Sequence, residues 1–141
     1  MDHLGRLIDH VHLRVADVEA SFRFYSAILQ ALGRSLTRDG SDFWSDELYV
    51  SPADDYISRI HLAFQASGEE DVRRFHAAGL GAGGRDNGAP GPRDYHPGYF
   101  GAFLIDPDGN NIEAVWHGET RRSADSISVE RIGQPQPEPQ G

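Results

Sequence analysis

The segment Ile8-Asp9-His10-Val11 has a counterpart 51 residues further along the chain, Arg59-Ile60-His61-Leu62. In both places an alternating segment with a histidine leads into an amphipathic segment that ends in glycine. The same offset aligns further pairs: Phe24 with Phe75, Leu29 with Leu80, and Gly33 with Gly84. A repeat at a fixed offset indicates two copies of one structural unit, and each copy is too short to bury a robust core alone.

Each unit contains one predicted helix. The first begins at Asp17, a favoured N-cap residue, and ends at Gly33. Its apolar side chains step by four and three and form one stripe, which consists of Val18, Phe22, Tyr25, Leu29 and Leu32. In the second unit Ser67 and Glu70 form the pattern of a capping box. We expect that helix to end before Gly83-Gly84.

Short β-like runs follow each helix. They lie near residues 36–38 and 42–50 in the first unit, and near 99–105 and 111–117 in the second. Asp106-Pro107-Asp108-Gly109 is a strong turn signal and predicts that the last two runs form a hairpin. Residues 86–98 contain three prolines and three glycines, which predicts a long loop.

Three predicted strands carry groups with chemical potential on one face. Because side chains alternate along a strand, each strand divides into an apolar face and a polar one. The apolar faces are Val11, Leu13 and Val15; Ile60, Leu62 and Phe64; and Ile112, Ala114 and Trp116. The opposite faces are His10, His12 and Arg14; His61, Ala63 and Gln65; and Glu113, Val115 and His117. This pattern is typical of three strands that line one solvent-accessible cavity.

Two neutral imidazoles and one carboxylate, His10, His61 and Glu113, would form a competent site for a divalent metal and leave positions open for water and substrate. His12 shares a face with His10, so it either supports His10 or is itself the ligand. Glu113 alone would be an ordinary solvated carboxylate, and the spacing along the chain does not show that the three groups meet. The remaining histidines considered, His3, His76 and His117, are interpreted as structural or exposed.

An aromatic cluster precedes the penultimate strand. It consists of Tyr95, His96 and Tyr99. These side chains could form a rim or lid over the cavity, or could simply pin the loop by packing. The sequence favours neither role over the other.

Composition excludes several classes of function. The formal net charge is −9, and no cluster of Lys and Arg supplies a nucleic-acid footprint or favours an anionic membrane. No apolar run approaches the roughly 18 residues of a membrane span, and the first residues lack a signal peptide. The 141 residues include no cysteine, which excludes disulfides and thiolate sites. We expect a soluble cytoplasmic protein with a polar, partly disordered tail over residues 119–141.

Three segments also resemble a known family, the vicinal oxygen chelate superfamily of glyoxalases, bleomycin resistance proteins and dioxygenases. Ile8-Asp9-His10-Val11-His12-Leu13-Arg14-Val15-Ala16-Asp17 with Phe24-Tyr25 is similar to the family's opening, and Ile60-His61-Leu62-Ala63-Phe64 to the start of its second half. Asp106-Pro107-Asp108-Gly109-Asn110-Asn111-Ile112-Glu113 is similar to its closing hairpin. Together with Tyr95-His96-Pro97-Gly98-Tyr99, the resemblance covers about residues 7–118.

The resemblance implies an α+β fold of two paired β-α-β-β-β modules, about 7–58 and 59–118, whose mixed sheets curl around a central cleft. It implies that His10, His61 and Glu113 hold one divalent ion (Fe, Mn, Ni or Zn) and that two chains form a homodimer. His12, Tyr95, His96 and Tyr99 are candidates for proton transfer or substrate contact. Glyoxalase I uses a further carboxylate late in its first module. Glu47 could serve there, but Phe43-Trp44 is an equally good occupant of that position.

Two functions follow from these expectations. The first is a metal-dependent lyase, isomerase or ring-cleaving dioxygenase, whose small oxygen-rich substrate chelates the ion. The second is a metal-free protein that binds an aromatic or drug-like ligand between Trp44, the Tyr-rich loop and the sheet. Three ligand-type residues favour the enzyme, because a pure binding protein has no need of them.

Overall fold

A computed structural model describes residues 2–133, and these contain two helices and eight strands. In chain order they are β1 (Val11–Val15), α1 (Val18–Ala31), β2 (Thr37–Asp39), β3 (Asp42–Ser45), β4 (Leu48–Pro52), β5 (His61–Gln65), α2 (Glu69–Gly81), β6 (Arg85–Pro92), β7 (Phe100–Ile105) and β8 (Asn111–Trp116). The order β-α-β-β-β occurs twice. The predicted α+β class and the predicted repeat are confirmed.

The strands form two four-stranded mixed sheets with the same topology. Sheet one has the order β1-β4-β3-β2, and sheet two has the order β5-β8-β7-β6. In each sheet the first strand pairs in parallel with the last strand of its unit, and the other pairs are antiparallel. The strands of sheet one end at residue 52 and those of sheet two begin at residue 61, which is compatible with a module boundary near 58–59. The boundary itself stays a prediction.

The helices hold the two sheets together through one apolar core. α1 packs against α2, and the buried residues include Leu13, Phe24, Ile28, Val50, Phe75, Leu104 and Ile112. The approach is close at Gly79, where an added Cβ would lie 2.2 Å from Leu104 Cδ1 and 3.0 Å from Ile28 Cγ2. The core therefore lies on the inner faces of the sheets, and the strand residues that alternate with it, such as His12 and His61, are exposed.

A buried hydrogen bond also joins the two units. The Tyr25 hydroxyl on α1 donates to Asp106 Oδ2 at 2.6 Å. Asp106 begins the turn between β7 and β8, and its carboxylate also accepts from the backbone N–H and the side-chain amide of Asn110. The predicted hairpin is confirmed, with Gly109 at φ +94°.

The first helix begins and ends where the sequence predicts. The Asp17 carboxylate accepts from the backbone N–H of Ala20 at 3.1 Å, and Gly33 follows the helix at φ +79°. The second helix differs at its start, because Gly68 is its N-cap and no side chain caps it. The predicted Ser67–Glu70 capping box is wrong. Instead, the Asp71 carboxylate accepts from the backbone N–H of Ser67, so an acidic side chain one residue further along serves that end.

The predicted loop over residues 86–98 is wrong for its first half, which forms β6. Among the described strands it pairs only with β7, so it lies at the edge of sheet two, where prolines without an N–H donor are tolerated. Its register shifts between Asp86 and Gly88 and again between Gly88 and Gly91. The irregular segment is therefore limited to residues 93–99.

The long run predicted over residues 42–50 is two strands. β3 and β4 pair through Ser45 and Leu48, and the two residues between them form a tight turn. Asp46 adopts φ +47° there, a conformation that aspartate enters more readily than most residues.

Residues 119–133 contain no helix or strand. Residues 134–141, the rest of the predicted tail, lie outside the described part of the chain. Neither helix within residues 2–133 combines the length and the apolarity that a membrane crossing needs.

Candidate functional site

A chain of hydrogen bonds lies on sheet two and links an exposed imidazole to a buried carboxylate and a phenol. His61 at the start of β5 places Nε2 2.8 Å from Glu113 Oε1, and the Tyr99 hydroxyl donates to Glu113 Oε2. The Glu113 side chain is 2% exposed, whereas that of His61 is 54% exposed. Both carboxylate oxygens are therefore engaged, and the imidazole is accessible to solvent.

The register of the strands explains this arrangement. Glu113 on β8 lies between Ala63 on β5 and Phe103 on β7, and His61 lies on the same face as Ala63. On the other side of the carboxylate, an added Cβ at Gly101 would lie 3.2 Å from Glu113 Oε2. Small residues at 63 and 101 thus leave room for the Glu113 side chain and its partners.

Tyr99 remains protonated at neutral pH. Burial raises the pKa of its phenol well above the usual value, and the hydrogen bond to Glu113 raises the pKa further. A buried carboxylate requires donors to replace the lost water. The neutral Tyr99 hydroxyl is one such donor.

Three rings surround Tyr99, and we call them the aromatic clamp: Tyr95, His96 and His117. Their centroids lie 4.8, 5.3 and 5.2 Å from that of Tyr99, in edge-to-face arrangements. His96 Nε2 lies 2.8 Å from His117 Nδ1, and the other ring nitrogen of His96 lies 2.8 Å from the Pro97 carbonyl oxygen. The structure therefore brings the predicted aromatic cluster together around Tyr99.

His117 was interpreted from the sequence as structural or exposed, and it is exposed in the structure. Its contact with His96 could not be expected from one strand. The available signal was its position four residues after Glu113 in an alternating segment, on the same face as the carboxylate.

His12 lies on β1 of sheet one, and His10 directly precedes that strand. His10 is exposed, with Nδ1 2.6 Å from Asp9 Oδ1. His12 places Nε2 2.6 Å from Ser51 Oγ, and its ring meets that of Tyr49 edge-on. Loss of water around the ring, and then the charge of Arg14, lower the pKa of His12. Its imidazole is therefore neutral at pH 7.

One copy of the chain thus brings together two of the three predicted ligands. His61 and Glu113 are in contact, and His10 directly precedes the first strand of the other sheet. Within residues 2–133, no group of three His, Asp or Glu side chains is close enough together to hold a metal ion.

A cavity of about 550 Å³ opens on sheet one, and its lining consists of His10, His12, Asp39, Trp44, Asp46 and Tyr49. The rings of Trp44 and Tyr49 are stacked with centroids 5.8 Å apart. The Tyr49 hydroxyl donates to Asp42 Oδ2 at 2.5 Å, and this hydrogen bond raises the pKa of Tyr49.

Tyr49 holds in sheet one the position that Glu113 holds in sheet two. His12 pairs with Tyr49 across the parallel strands, as Ala63 pairs with Glu113. Glu47, which the sequence offered as a further carboxylate, lies in the exposed turn before β4. The sequence also offered Phe43 and Trp44 for the position of that carboxylate. Phe43 is in the core and Trp44 lines the cavity.

The donor set of sheet two suits a divalent ion, but only in part. An imidazole nitrogen and a carboxylate oxygen 2.8 Å apart are ligands that Zn, Mn, Fe and Ni accept in proteins. Catalytic sites of this kind have three protein ligands in general. A third donor therefore has to come from outside this pair.

Comparisons with known proteins agree with this fold. A family model described as the Glyoxalase/Bleomycin resistance protein/Dioxygenase superfamily matches residues 7–114. A glyoxalase/bleomycin resistance protein from Albidiferax ferrireducens is similar in structure, with a TM-score of 0.66 and 33% sequence identity over 76% of this chain and 96% of that chain. No curated protein gives a significant match.

Two further structures are similar. A glyoxalase-related enzyme from Fulvimarina pelagi has a TM-score of 0.61 at 19% identity, over 84% of this chain and 99% of that chain. A mutant of glyoxalase I from Zea mays has a TM-score of 0.54 at 26% identity, over 75% of this chain but 44% of that longer chain. The first of these two likenesses concerns the fold alone.

Proposed function

The chain belongs to the Glyoxalase/Bleomycin resistance protein/Dioxygenase superfamily, and on that premise we propose that it is a divalent-metal-dependent enzyme. In this proposal His61 and Glu113 of one copy and His10 of a second copy hold the ion. The observation that carries the proposal is the contact between the exposed His61 imidazole and the buried Glu113 carboxylate.

The contact supports a metal site because its two atoms are ligand atoms. A carboxylate that is 2% exposed is costly to bury unless it is paired. The packing of sheet two fixes the direction of Glu113 before any ion binds, and His61 reaches the same oxygen from the solvent side. A cation between Nε2 and Oε1 would replace a hydrogen bond with two coordinate bonds.

The assignment of His10 to a second copy rests on exposure. Within residues 2–133 His61 and Glu113 lack a third ligand from the same chain. Leu7 and Ile8 before His10, and Ile60 before His61, are exposed apolar residues. A homodimer that places sheet one of one copy against sheet two of the other would cover these side chains and bring the three ligands together.

The ion would act as a Lewis acid toward neighbouring oxygens of a small substrate. His12 is suited to accept a proton, since its imidazole is neutral and lies at the cavity of sheet one. Tyr95 and His96 are candidates for contact with substrate at the other end of the site. Whether the reaction is that of a lyase, an isomerase or a dioxygenase depends on the substrate, and a cytoplasmic location stays a prediction.

Elemental analysis of the protein, purified without added metal and after supply of each candidate metal, tests the proposal. We expect the wild type to retain metal, and Glu113→Ala and His10→Ala to lose most of it. His3→Ala, which changes an exposed histidine near the N-terminus, is the control and should retain metal. Equal content in Glu113→Ala and wild type would remove Glu113 from the site.

Mixing two defective variants tests the second copy. If the site lies between copies, a dimer of one His10→Ala chain and one Glu113→Ala chain contains one intact site and one that lacks both ligands. Refolding the two variants together should restore metal binding that neither variant shows alone. If each site lay within one chain, the mixture would bind no more metal than the separate variants.

The cavity of sheet one favours a second candidate, a metal-free binding protein. The stacked Trp44 and Tyr49 rings offer a flat surface for an aromatic ligand, and Asp39 and Asp46 make the cavity acidic. If the wild type retains no metal at any supply, and an aromatic ligand quenches the fluorescence of the wild type but not of Trp44→Leu with Trp116 intact, this function replaces the first.

A further inference from the structure

We infer that Tyr99 is a positioning residue that leaves Glu113 a single oxygen, Oε1, for a metal ion. The inference rests on the proposed function, because it concerns the carboxylate that we assign to the metal. It goes beyond that function by specifying how Glu113 binds: through one oxygen, with the other held by a phenol.

The two oxygens of Glu113 have different surroundings. Oε1 faces His61, whose side chain is half exposed, so an ion can approach it from solvent. Oε2 accepts the hydroxyl of Tyr99, which precedes β7 directly and is only partly exposed. A carboxylate whose second oxygen is occupied by a donor cannot turn to present both oxygens to one ion without breaking that hydrogen bond.

The surroundings hold Tyr99 in this position. The aromatic clamp contacts the ring of Tyr99. Gly101 has no side chain and therefore leaves room for this ring beside the Glu113 carboxylate. An added Cβ at Gly101 would lie 3.3 Å from Tyr99 Cε1 and 3.2 Å from Glu113 Oε2. A side chain at residue 101 would therefore crowd both the phenol and the carboxylate.

Removal of the phenol hydroxyl has two expected consequences. The buried Oε2 loses its donor, so the carboxylate is free to rotate and bind through both oxygens. Groups that orient a metal ligand in this way typically contribute 10–100-fold to metal affinity. We expect Tyr99→Phe to lower metal affinity by about that factor and to increase the coordination number of the ion.

Cobalt(II) is the probe, since its visible absorption depends on coordination number and geometry. The full-length wild type, Tyr99→Phe and Tyr56→Phe are titrated with Co(II), and the dissociation constant and the spectrum are recorded. Tyr56→Phe is the matched control, because it removes a phenol hydroxyl from an exposed ring that packs against Arg14 of sheet one. We expect weaker binding and a weaker, shifted visible band for Tyr99→Phe alone.

The outcomes separate this inference from the proposed function. If the wild type binds Co(II) and Tyr99→Phe gives the same affinity and spectrum, the positioning role is wrong and the metal site stands. If the wild type binds no Co(II), both are wrong. Circular dichroism checks the fold of each variant. If Tyr99→Phe does not fold, Gly101→Ala takes its place: it keeps the phenol but crowds the contact, and an unchanged affinity and spectrum would overturn the inference.

Discussion

The two sheets have the same topology but carry different chemistry at the same place. One row of three neighbouring strands in sheet one consists of His12, Tyr49 and Trp44, and the corresponding row in sheet two consists of Ala63, Glu113 and Phe103. The first row is aromatic and lines an open cavity. The second has a buried carboxylate at its centre. The repeated fold fixes the positions, and the side chains decide what each position can do.

The difference follows from size as much as from charge. In sheet two Ala63 and Gly101 leave space in which His61 and Tyr99 can reach Glu113. In sheet one the ring of His12 fills the place of Ala63 and packs edge-on against Tyr49. A carboxylate at residue 49 would therefore have less room for partners than Glu113 has.

The largest effect is expected when the pair Ala63–Glu113 of sheet two is replaced by the residue types of its counterpart in sheet one, His12–Tyr49. The double variant Ala63→His with Glu113→Tyr should abolish metal binding, because a phenol with a pKa near 10 replaces the carboxylate ligand. Sheet one accommodates the same pair, so the variant should still fold. Elemental analysis with circular dichroism checks both expectations. Metal content at the wild-type level would show that the two rows are not functionally distinct.

The helices show the same kind of asymmetry. Gly79 on α2 is the counterpart of Ile28 on α1 at the repeat offset, and the two touch where the helices cross. Gly79→Ala should lower the free energy of unfolding by about 1–3 kcal/mol, since its Cβ would overlap Leu104. Gly81→Ala is the matched control. The space around Gly81 is open, so this variant should gain about 0.5–1 kcal/mol of helix propensity.

Urea denaturation of both variants measures these changes. If Gly79→Ala were as stable as Gly81→Ala, the expected asymmetry between the helices would be wrong. The contact between α1 and α2 would then tolerate a side chain on both helices.

An effect of similar size or smaller is expected at the phenol–carboxylate pairs. Tyr25 bonds to buried Asp106, and burial raises the pKa of Tyr25 well above its usual value. Tyr25→Phe should lower the free energy of unfolding by about 1–3 kcal/mol, as expected when a buried acceptor loses a donor. Tyr49→Phe breaks the accessible bond to Asp42 and should cost less.

The pH dependence of the Tyr25 effect has a definite sign. Because the phenol pKa is higher in the folded protein than in the unfolded chain, the stabilisation is complete below the unfolded value near 10. It is lost as the pH rises from there through the folded value. The difference between wild type and Tyr25→Phe should be constant from pH 7 to about 9 and shrink above about 10. A difference that grew above pH 10 would contradict the assignment.

Local signals predicted much of this fold. Asp17 and Gly33 flank α1 as predicted, and Asp106 through Gly109 form the turn of the predicted hairpin. Both were predictable because capping and turn chemistry act over a few residues. The strand β6 was missed for the converse reason. Its prolines and glycines indicate a loop, and only pairing with β7 at a sheet edge makes them a strand.

The sequence alone determined the twofold repeat, the α+β class and the alternation that puts His10, His61 and Glu113 on polar strand faces. Alternation and helical periodicity are local, so they can be inferred before the chain is folded. The tertiary structure decided that His61 and Glu113 meet, that Tyr99 donates to the second oxygen of Glu113 and that His10 lies at the start of the other sheet. These facts depend on which strands become neighbours, such as β5 beside β8, and strands that lie far apart along the chain are not paired by any short segment.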